Sequence, residues 1–388
     1  MTSLSSLTHR VWGHRLFSYP RFAPSSGVAC NARARPHRAR TSTFSSPSSG
    51  AGPGGSVAMS VTNVAFVGLG NMGLRMALNL ARPSRDDALG IPSSPPPLRL
   101  TVYDLQESNV ASFFGHVEAM EGLSESTYPT ASRDLPSLAE SNPDFVITSL
   151  PTCEASEDVV GSIVRGLPGV GGGCTFVDTS TVSPSTSKKL HNLVSSTSPH
   201  HQYVDAPVSG GVKGATDATL TFMVGCSSPE TFSNVRPLLL RMGTNAIPCG
   251  MPGSGSAVKL CNNAALAAQM LGICEAMNLG EALGVDPMVL ADVMNASTAK
   301  CWSGMVNNPH PEAARHIGSG ASAGGYGGGF ASALMLKDLN LAVSAGEGEG
   351  LALPVSGLTR DLYRLAIAHG YGSKDFGVML QFLRGGSR

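Results

Sequence analysis

The first 85 residues of this 388-residue chain contain no aspartate and no glutamate, and the first acidic residue is Asp86. The same stretch is rich in arginine and serine. A segment of this composition is typical of an organelle transit peptide, and a tail without function is the alternative interpretation. We predict a transit peptide and flexible linker over residues 1–58, directed to the mitochondrial matrix, with a plastid as the alternative organelle. The arginines of this segment are Arg10, Arg15, Arg21, Arg33, Arg35, Arg38 and Arg40.

Long apolar runs and a surplus of positive charge are also missing. No run approaches the length of a transmembrane helix, so we expect no membrane partner. The chain has 27 basic and 27 acidic residues, and setting aside the seven N-terminal arginines leaves 20 basic against 27 acidic residues. Because nucleic-acid binding needs a basic face, an acidic body argues against a nucleic-acid partner.

Metal-binding and disulfide patterns are absent as well. The eight cysteines form no C-x-x-C pair and have no histidine at zinc-finger spacing. Several lie in apolar runs, which favours reduced and buried thiols over a disulfide framework. His191, His200, His201 and His310 show no metal-ligand spacing and are predicted to be surface residues. We expect no metal.

Strand-like and helical patterns alternate through the first two thirds of the folded part. This alternation predicts a parallel sheet with helices on both faces, an α/β Rossmann-type domain over residues 61–250. Pro83 to Pro97 is too rich in proline for either element and is predicted to be an inserted surface loop. The predicted strands are Asn63–Val67, Leu100–Tyr103, Phe145–Ser149, Thr175–Val177, Tyr203–Val204, Leu220–Val224 and Ala246–Cys249.

Strand-like runs end near residue 250, and residues 253–388 are predicted to form an all-α domain. A long apolar helix over Gly255–Leu283, of about 29 residues, would join the two domains and measure about 43 Å. It is too apolar for burial on one face alone, so we expect it to contact a partner subunit in a homo-oligomer, a dimer or a tetramer. Later helices are predicted near Pro287–Met294, Ala333–Ala345 and Leu358–His369, with the glycine-rich segment Gly318–Phe330 as a loop.

The segment GLGNMG has the spacing G-x-G-x-x-G and lies between a predicted strand and a predicted helix. The first glycine permits a tight turn, the second lets backbone approach a pyrophosphate, and the third lets helix and strand pack closely. Asp104 follows the second strand, where a carboxylate accepts hydrogen bonds from the ribose and favours NAD over NADP. Its alternative is an ordinary turn residue at a strand end. The predicted dinucleotide-binding residues are Gly68, Leu69, Gly70, Asn71, Met72, Gly73 and Asp104.

Lys259 is the lone charge in the first turns of the long apolar helix. A lysine whose ammonium reaches solvent is the simpler interpretation. However, burial lowers the pKa of a lysine towards neutrality, which suits proton transfer to or from an alcohol. Asn263 lies at i+4 on the same helix face and can orient the ammonium without adding charge. We therefore predict that Lys259 and Asn263 form a catalytic pair.

The turn Ser209, Gly210 and Gly211 offers a hydroxyl and two unobstructed backbone N–H groups, which can bind a carboxylate. In isolation, a plain turn between strand and loop is the more common meaning of these residues, but together with the Lys259 motif we predict that they bind the substrate carboxylate. Lys337 would usually lie on a solvated helix face. Trp302 is either a wall of the substrate pocket or a core residue.

Four collinear segments resemble the β-hydroxyacid dehydrogenase family, and in particular its 3-hydroxyisobutyrate dehydrogenases. They are GLGNMGLRMALNL, DAPVSGGVKGATDATLTFMVG, GSGSAVKLCNN and FASALMLKDLNLA, and CWSG and KDFGVMLQFLR add to the likeness. The resemblance covers about residues 63–384. It implies NAD-dependent oxidation of 3-hydroxyisobutyrate to methylmalonate semialdehyde, a step of valine catabolism.

The resemblance also implies roles for further residues. Leu150 and Pro151 would lie over the cofactor, Thr181 would contact its nicotinamide half, and Lys337 would close over substrate and cofactor. Ala155 departs from the pattern, because the family has an asparagine at that place, which predicts some loss of NAD affinity.

Two other functions remain open on the sequence alone. The first is a related NADPH-dependent reductase of glyoxylate or succinic semialdehyde, against which Asp104 argues. The second is a dinucleotide-binding module without catalysis, against which the joint presence of Lys259 and Asn263 argues.

Overall fold

The computed structural model describes residues 62–83, 98–168 and 172–385. The predicted transit peptide and linker over residues 1–58 lie outside the described residues. So does all of the predicted proline-rich insertion except Pro83.

A nine-stranded sheet forms the first domain, in the order β3-β2-β1-β4-β5-β6-β8-β7, with β9 paired to β8. The prediction of a parallel sheet is only partly right, because β8 runs antiparallel to both β6 and β7. The short strands β3 and β7 have two residues each and carry too little apolar pattern to be predicted. The strands are β1 Thr62–Val67, β2 Leu98–Tyr103, β3 Thr130–Ala131, β4 Phe145–Thr148, β5 Thr175–Asp178, β6 Gln202–Asp205, β7 Val208–Ser209, β8 Leu220–Gly225 and β9 Gly243–Gly250.

Helices cover both faces of this sheet, as predicted. Alternate residues of β1 lie in different apolar clusters, one on each face of the sheet. Val64 and Phe66 belong to one cluster, and Ala65 and Val67 belong to the other. Both faces of the strand are buried, so its sequence is continuously apolar rather than alternating. The helices of this domain are α1 Gly73–Ala81, α2 Glu107–Val117, α3 Leu135–Glu140, α4 Cys153–Gly166, α5 Pro184–Thr197, α6 Gly211–Thr216 and α7 Pro229–Leu239.

The second domain is helical and begins with a helix of 29 residues, close to the predicted bounds. Its core comprises residues of this helix together with later helices. The short helices between residues 302 and 317 were not predicted, because they span only one or two turns. The helices are α8 Ser254–Ala282, α9 Pro287–Ala296, α10 Trp302–Met305, α11 Pro311–Ile317, α12 Ser332–Gly348, α13 Pro354–Ala366 and α14 Met379–Leu383, with shorter helical turns at Ala321–Gly324, Ile367–Tyr371 and Phe376–Val378.

The start of α8 is in close contact with the sheet. A Cβ atom added to Gly255 would lie 2.2 Å from the carbonyl oxygen of Met223 on β8. Only glycine allows this approach, so the first turn of α8 lies directly against the sheet. The same turn lies at the carboxyl end of β6, because the N–H of Ser256 donates to the carboxylate of Asp205, and Lys259 follows one turn later.

Two of the four histidines predicted to be at the surface are buried, so that prediction is wrong for His201 and His310. The Nδ1 atom of His201 accepts a hydrogen bond from the backbone N–H of Cys174, and that of His310 accepts one from Glu312 at the start of α11. The ring of His201 satisfies a backbone group that burial cuts off from water, and the ring of His310 caps the start of α11.

The described cysteines are all free thiols, and they differ in burial. Cys174, Cys226 and Cys274 are buried, whereas Cys261 is exposed on α8. Within the described ranges, no cluster of three or more His, Cys, Asp or Glu side chains could hold a metal ion. Nor is any helix in those ranges both long enough and apolar enough to cross a bilayer.

Candidate active site

The glycine-rich turn joins β1 to α1, and its three glycines meet different surroundings. Gly68 has a φ of +95°, and an added Cβ would lie 2.3 Å from the carbonyl oxygen of Ser149. A Cβ on Gly73 would lie 1.9 Å from the carbonyl oxygen of Gly68. A Cβ on Gly70 would meet nothing within 4 Å. Gly68 and Gly73 therefore allow the turn to fold. Gly70 leaves open space beside its backbone, which fits a phosphate group.

Asp104 follows β2 and its carboxylate lies against the same turn. Oδ2 accepts a hydrogen bond of 2.6 Å from the backbone N–H of Leu69. Oδ1 accepts one from the N–H of Gln106 and one from the side-chain amide of Asn109. The carboxylate thus fixes the glycine-rich turn and is half-buried beside it. This contact places Asp104 beside the glycine-rich turn, which is the position that its predicted role in binding the ribose requires.

The segments after β4 and β5 meet at the carboxyl edge of the sheet. The backbone N–H of Leu150 donates to the hydroxyl of Ser180 over 2.8 Å, which joins the Leu150–Pro151 segment to the segment that contains Thr181. Ala155 lies in the first turn of α4, where its N–H donates to the capping hydroxyl of Thr152. The segment after β4 borders the glycine-rich turn, because a Cβ added to Gly68 would lie 3.2 Å from Leu150, and the segment that contains Thr181 follows the next strand of the sheet, β5.

Lys259 and Asn263 form a buried polar chain that continues into α12. The ammonium nitrogen of Lys259 donates to Oδ1 of Asn263 over 3.0 Å. The amide nitrogen of Asn263 donates to Oδ2 of Asp338 over 2.6 Å. All three side chains are buried. Lys259 is only 8% exposed, so the interpretation of a lysine that reaches into solvent is wrong.

The surroundings of Lys259 change its acidity. Burial lowers the pKa of Lys259 to about 8, the attraction of Asp338 raises it, and the repulsion of Lys337 lowers it further. A lysine with this pKa exchanges its proton near neutral pH, as a general acid or base must. The local environment therefore suits proton transfer.

Lys337 reaches from α12 of the helical domain to the sheet domain. Its ammonium nitrogen donates to the carbonyl oxygen of Thr181 over 2.8 Å, and it lies 3.3 Å from Oδ1 of Asp338. That carboxylate oxygen is buried and accepts no hydrogen bond from the described residues, because the ion pair with Lys337 lacks hydrogen-bond geometry. The solvated-face interpretation of Lys337 is wrong, since the side chain bridges the two domains.

The turn Ser209 to Gly211 lies after β6, on the short strand β7 and at the start of α6. Gly210 and Gly211 have φ values of +133° and +63°, and both are exposed. A Cβ on Gly211 would meet nothing within 4 Å. In the described part of the chain, these three residues share no hydrogen bond or ion pair with the Lys259 cluster. The turn has the open backbone that anion binding needs.

Trp302 begins α10 and is half exposed, so the core interpretation of this residue is wrong. Its ring stacks on that of Phe376 at a centroid distance of 6.4 Å.

Three buried carboxylates in this region were missed by the sequence analysis: Asp178, Asp205 and Asp338. Each follows or lies beside a residue that was predicted. Asp338 directly follows Lys337, and Asp205 begins the segment DAPVSGG. For Asp178 and Asp205 the signal was a charged residue at the end of an apolar run, the kind of signal that identified Lys259.

The two domains match two family models. Residues 63–250 match the NAD binding domain of 6-phosphogluconate dehydrogenase, and residues 253–383 match the model described as NAD-binding of NADP-dependent 3-hydroxyisobutyrate dehydrogenase. Both descriptions concern dinucleotide binding, so they agree with the geometry of the glycine-rich turn.

Curated relatives and a solved structure agree with these matches. The chain is 38% identical to the mitochondrial 3-hydroxyisobutyrate dehydrogenase of Homo sapiens, over 84% of this chain and 88% of that protein. It is 37% identical to that of Drosophila melanogaster, over 83% and 89%. A Mycobacterium tuberculosis 3-hydroxyisobutyrate dehydrogenase solved with L-serine is 33% identical, has a TM-score of 0.70, and is matched over 84% of this chain and 100% of that one. The chain therefore belongs to the 3-hydroxyisobutyrate dehydrogenases, NAD(P)-dependent oxidoreductases of the β-hydroxyacid dehydrogenase family.

Proposed function

We propose that this protein oxidises 3-hydroxyisobutyrate with NAD and that Lys259 accepts the proton of the substrate hydroxyl. The observation that carries the proposal is the buried chain from Lys259 through Asn263 to Asp338. As an alcohol is oxidised, its hydroxyl must lose a proton while its carbon loses a hydride. Neutral Lys259 accepts that proton, and a protonated Lys259 returns it in the reverse reaction.

Asn263 and Asp338 orient the lysine in this scheme. The amide oxygen of Asn263 accepts one ammonium hydrogen, which leaves the others free for the substrate. Asp338 holds the amide in that orientation and stabilises positive charge on Lys259 once the proton has been transferred. Because the cluster is buried, both interactions are stronger than they would be in water.

NAD supplies the hydride acceptor when bound. Gly68 to Gly73 would hold its pyrophosphate and Asp104 its ribose, and Leu150, Pro151 and Thr181 would border it. The open space at Gly70 supports the first of these assignments, and the position of Asp104 beside the turn supports the second. A carboxylate at that position repels the 2′-phosphate of NADP, so we propose NAD as the preferred cofactor.

Ser209, Gly210 and Gly211 would bind the carboxylate of the substrate. The exposure and positive φ values of Gly210 and Gly211 support this role. The L-serine named with the Mycobacterium tuberculosis relative is also a 3-hydroxy acid with a carboxylate. Lys337 would close over substrate and cofactor from its position on Thr181.

We also propose a homo-oligomer, a dimer or a tetramer, in the mitochondrial matrix. Large apolar side chains are exposed on α9 and α13, including Val289, Val293, Val355 and Leu358, and a second subunit would cover them. The relatives from Homo sapiens and Drosophila melanogaster carry the word mitochondrial in their names. The domains are proposed to span residues 61–250 and 253–388, after an extension over residues 1–58.

Steady-state rates test the proposal. The substrates are 3-hydroxyisobutyrate, serine, 3-hydroxypropionate and 4-hydroxybutyrate, each with NAD and with NADP. We expect the highest kcat/KM with 3-hydroxyisobutyrate and NAD. Lys259→Ala should lower kcat by about 10²- to 10⁴-fold, the usual contribution of general base catalysis. A folded Lys259→Ala variant with near wild-type turnover would refute the role of the lysine.

A further inference from the structure

The helix that carries Lys259 has no capping side chain of its own. Its first residues are glycine and serine, and Gly253 at its start has a φ of +92° and makes no side-chain cap. The first N–H groups of a helix lack partners within the helix and need acceptors from elsewhere. Two of these groups in α8 are satisfied by a residue from a distant strand.

Asp205, the last residue of β6, supplies that acceptor. Its Oδ1 accepts a hydrogen bond of 2.7 Å from the N–H of Gly253, and its Oδ2 accepts one of 2.8 Å from the N–H of Ser256. The carboxylate is almost fully buried. A negative charge at this end of a helix is also favoured by the helix dipole. Asp205 therefore caps α8 from 48 residues earlier in the chain.

The fit around this carboxylate is tight. A Cβ on Gly225, its partner in the sheet register, would lie 2.4 Å from Oδ1 of Asp205. A Cβ on Gly255 would lie 3.0 Å from Oδ2. Burial raises the pKa of Asp205 to about 6, while the bonds from Gly253 and Ser256 lower it. The group is therefore mainly ionised at neutral pH and holds the helix start in one place.

Asp205 also lies between the two segments that the proposed function assigns to the substrate. Ser256 precedes Lys259 by three residues, about 4.5 Å along the helix axis. In the other direction, Asp205 precedes Ser209 by four residues along the chain. A shift of the helix start relative to β6 would move the lysine relative to the Ser209–Gly211 turn.

We propose that Asp205 is a positioning residue that sets the place of Lys259 relative to the substrate-binding turn. It touches neither substrate nor cofactor and acts through α8. The inference rests on the proposed function, because it assigns Asp205 to the same reaction. Asp205 is not among the groups that change the pKa of Lys259 by charge, which are Asp338 and Lys337. A changed pKa of Lys259 in an Asp205 variant would therefore report movement or hydration of the lysine.

Asp205→Asn tests the proposal, because the amide keeps the size of the side chain but turns a donor towards one of the two N–H groups. We expect kcat/KM for 3-hydroxyisobutyrate to fall by about 10- to 100-fold, since misplacement by about 1 Å can cost 10²-fold. The acid limb of the pH profile should move to higher pH, because a displaced lysine becomes hydrated and its pKa rises. The dissociation constant for NAD should change by less than about twofold, because the glycine-rich turn is untouched.

Asp286→Asn is the matched control. Asp286 also accepts two backbone N–H bonds at a helix start, from Met288 and Val289 at the beginning of α9. This variant should lose some thermal stability and keep both the wild-type rate and the wild-type pH profile. If Asp205→Asn does not fold, Asp205→Ser, which is smaller and retains an acceptor oxygen, takes its place with the same expected direction.

A double variant separates this inference from the proposed function. In a Lys259→Ala background, Asp205→Asn should lower the residual rate by less than about twofold, because a residue that acts through Lys259 has nothing left to position. Wild-type rates and pH profile in folded Asp205→Asn and Asp205→Ser, with Lys259→Ala inactive, would overturn the inference alone. An additive loss in the double variant would overturn it too. An active Lys259→Ala would instead refute the proposed function.

Discussion

The lowered pKa of Lys259 allows a quantitative prediction of how the reaction rate depends on pH. In the proposed mechanism, alcohol oxidation needs Lys259 neutral, so its rate should rise as pH increases through the lysine pKa of about 8. The neutral fraction is about one tenth at pH 7 and about nine tenths at pH 9, so kcat/KM should rise about tenfold and then level off. The reverse reduction needs the protonated lysine and should fall over the same range.

A lysine in water would behave differently. With an unperturbed pKa of about 10.4, the neutral fraction would still rise about sevenfold between pH 9 and pH 10. For the buried lysine with a pKa of about 8, the neutral fraction increases by only about one tenth between pH 9 and pH 10. The two cases therefore differ most above pH 9.

The assay follows the absorbance of NADH at several substrate concentrations from pH 6 to pH 10, with kcat/KM plotted against pH. Lys189→Ala serves as the control, because Lys189 is exposed and pairs only with Glu157 among the described residues. It should leave the profile unchanged. A log plot that keeps rising with unit slope above pH 9.5 would contradict a buried proton acceptor with this pKa.

Four further outcomes follow from the same site. Asp338→Asn should move the acid limb of the profile to lower pH, because the attraction of Asp338 raises the pKa of Lys259; an unchanged limb would contradict the coupling. Lys337→Met should move it to higher pH, because the repulsion of Lys337 lowers that pKa, and the same pH series measures it. Gly70→Val should weaken NAD binding by at least about tenfold in calorimetry and leave the Tm nearly unchanged, since its Cβ meets nothing. Gly73→Ala should lower the Tm instead, because its Cβ would overlap the carbonyl oxygen of Gly68.

The main elements of the fold could be predicted because their signals are local. The short apolar runs of β1, β2 and β4, and the long apolar run of α8, are each visible in the sequence, and their lengths separate strands from a helix. The antiparallel direction of β8 could not be predicted. It depends on which strand edge is free when the chain returns to the sheet, and no local pattern encodes that. The two-residue strands β3 and β7 exist only because a neighbouring strand offers hydrogen-bond partners.

The residues of the candidate site also differ in whether the sequence alone could identify them. Lys259 and Asn263 stood out because polar residues in an apolar helix need a reason, and the spacing of four residues placed them on one face. Asp338 did not stand out, because the sequence does not say that α12 packs against α8 at that residue. The cap from Asp205 joins residues 48 apart, and only the structure brings them together. Contacts between distant segments are therefore what the sequence analysis missed.

The contact between Asp104 and the Leu69 amide has a consequence for coenzyme engineering. One carboxylate both borders the proposed adenosine site and keeps the glycine-rich turn in shape. A redesign that replaces Asp104 with a basic residue to admit NADP would leave the Leu69 N–H without its acceptor, so binding of both coenzymes would weaken. Coenzyme selectivity and the geometry of the glycine-rich turn thus depend on the same side chain. A successful redesign has to keep an acceptor oxygen at position 104 and add positive charge at a neighbouring position.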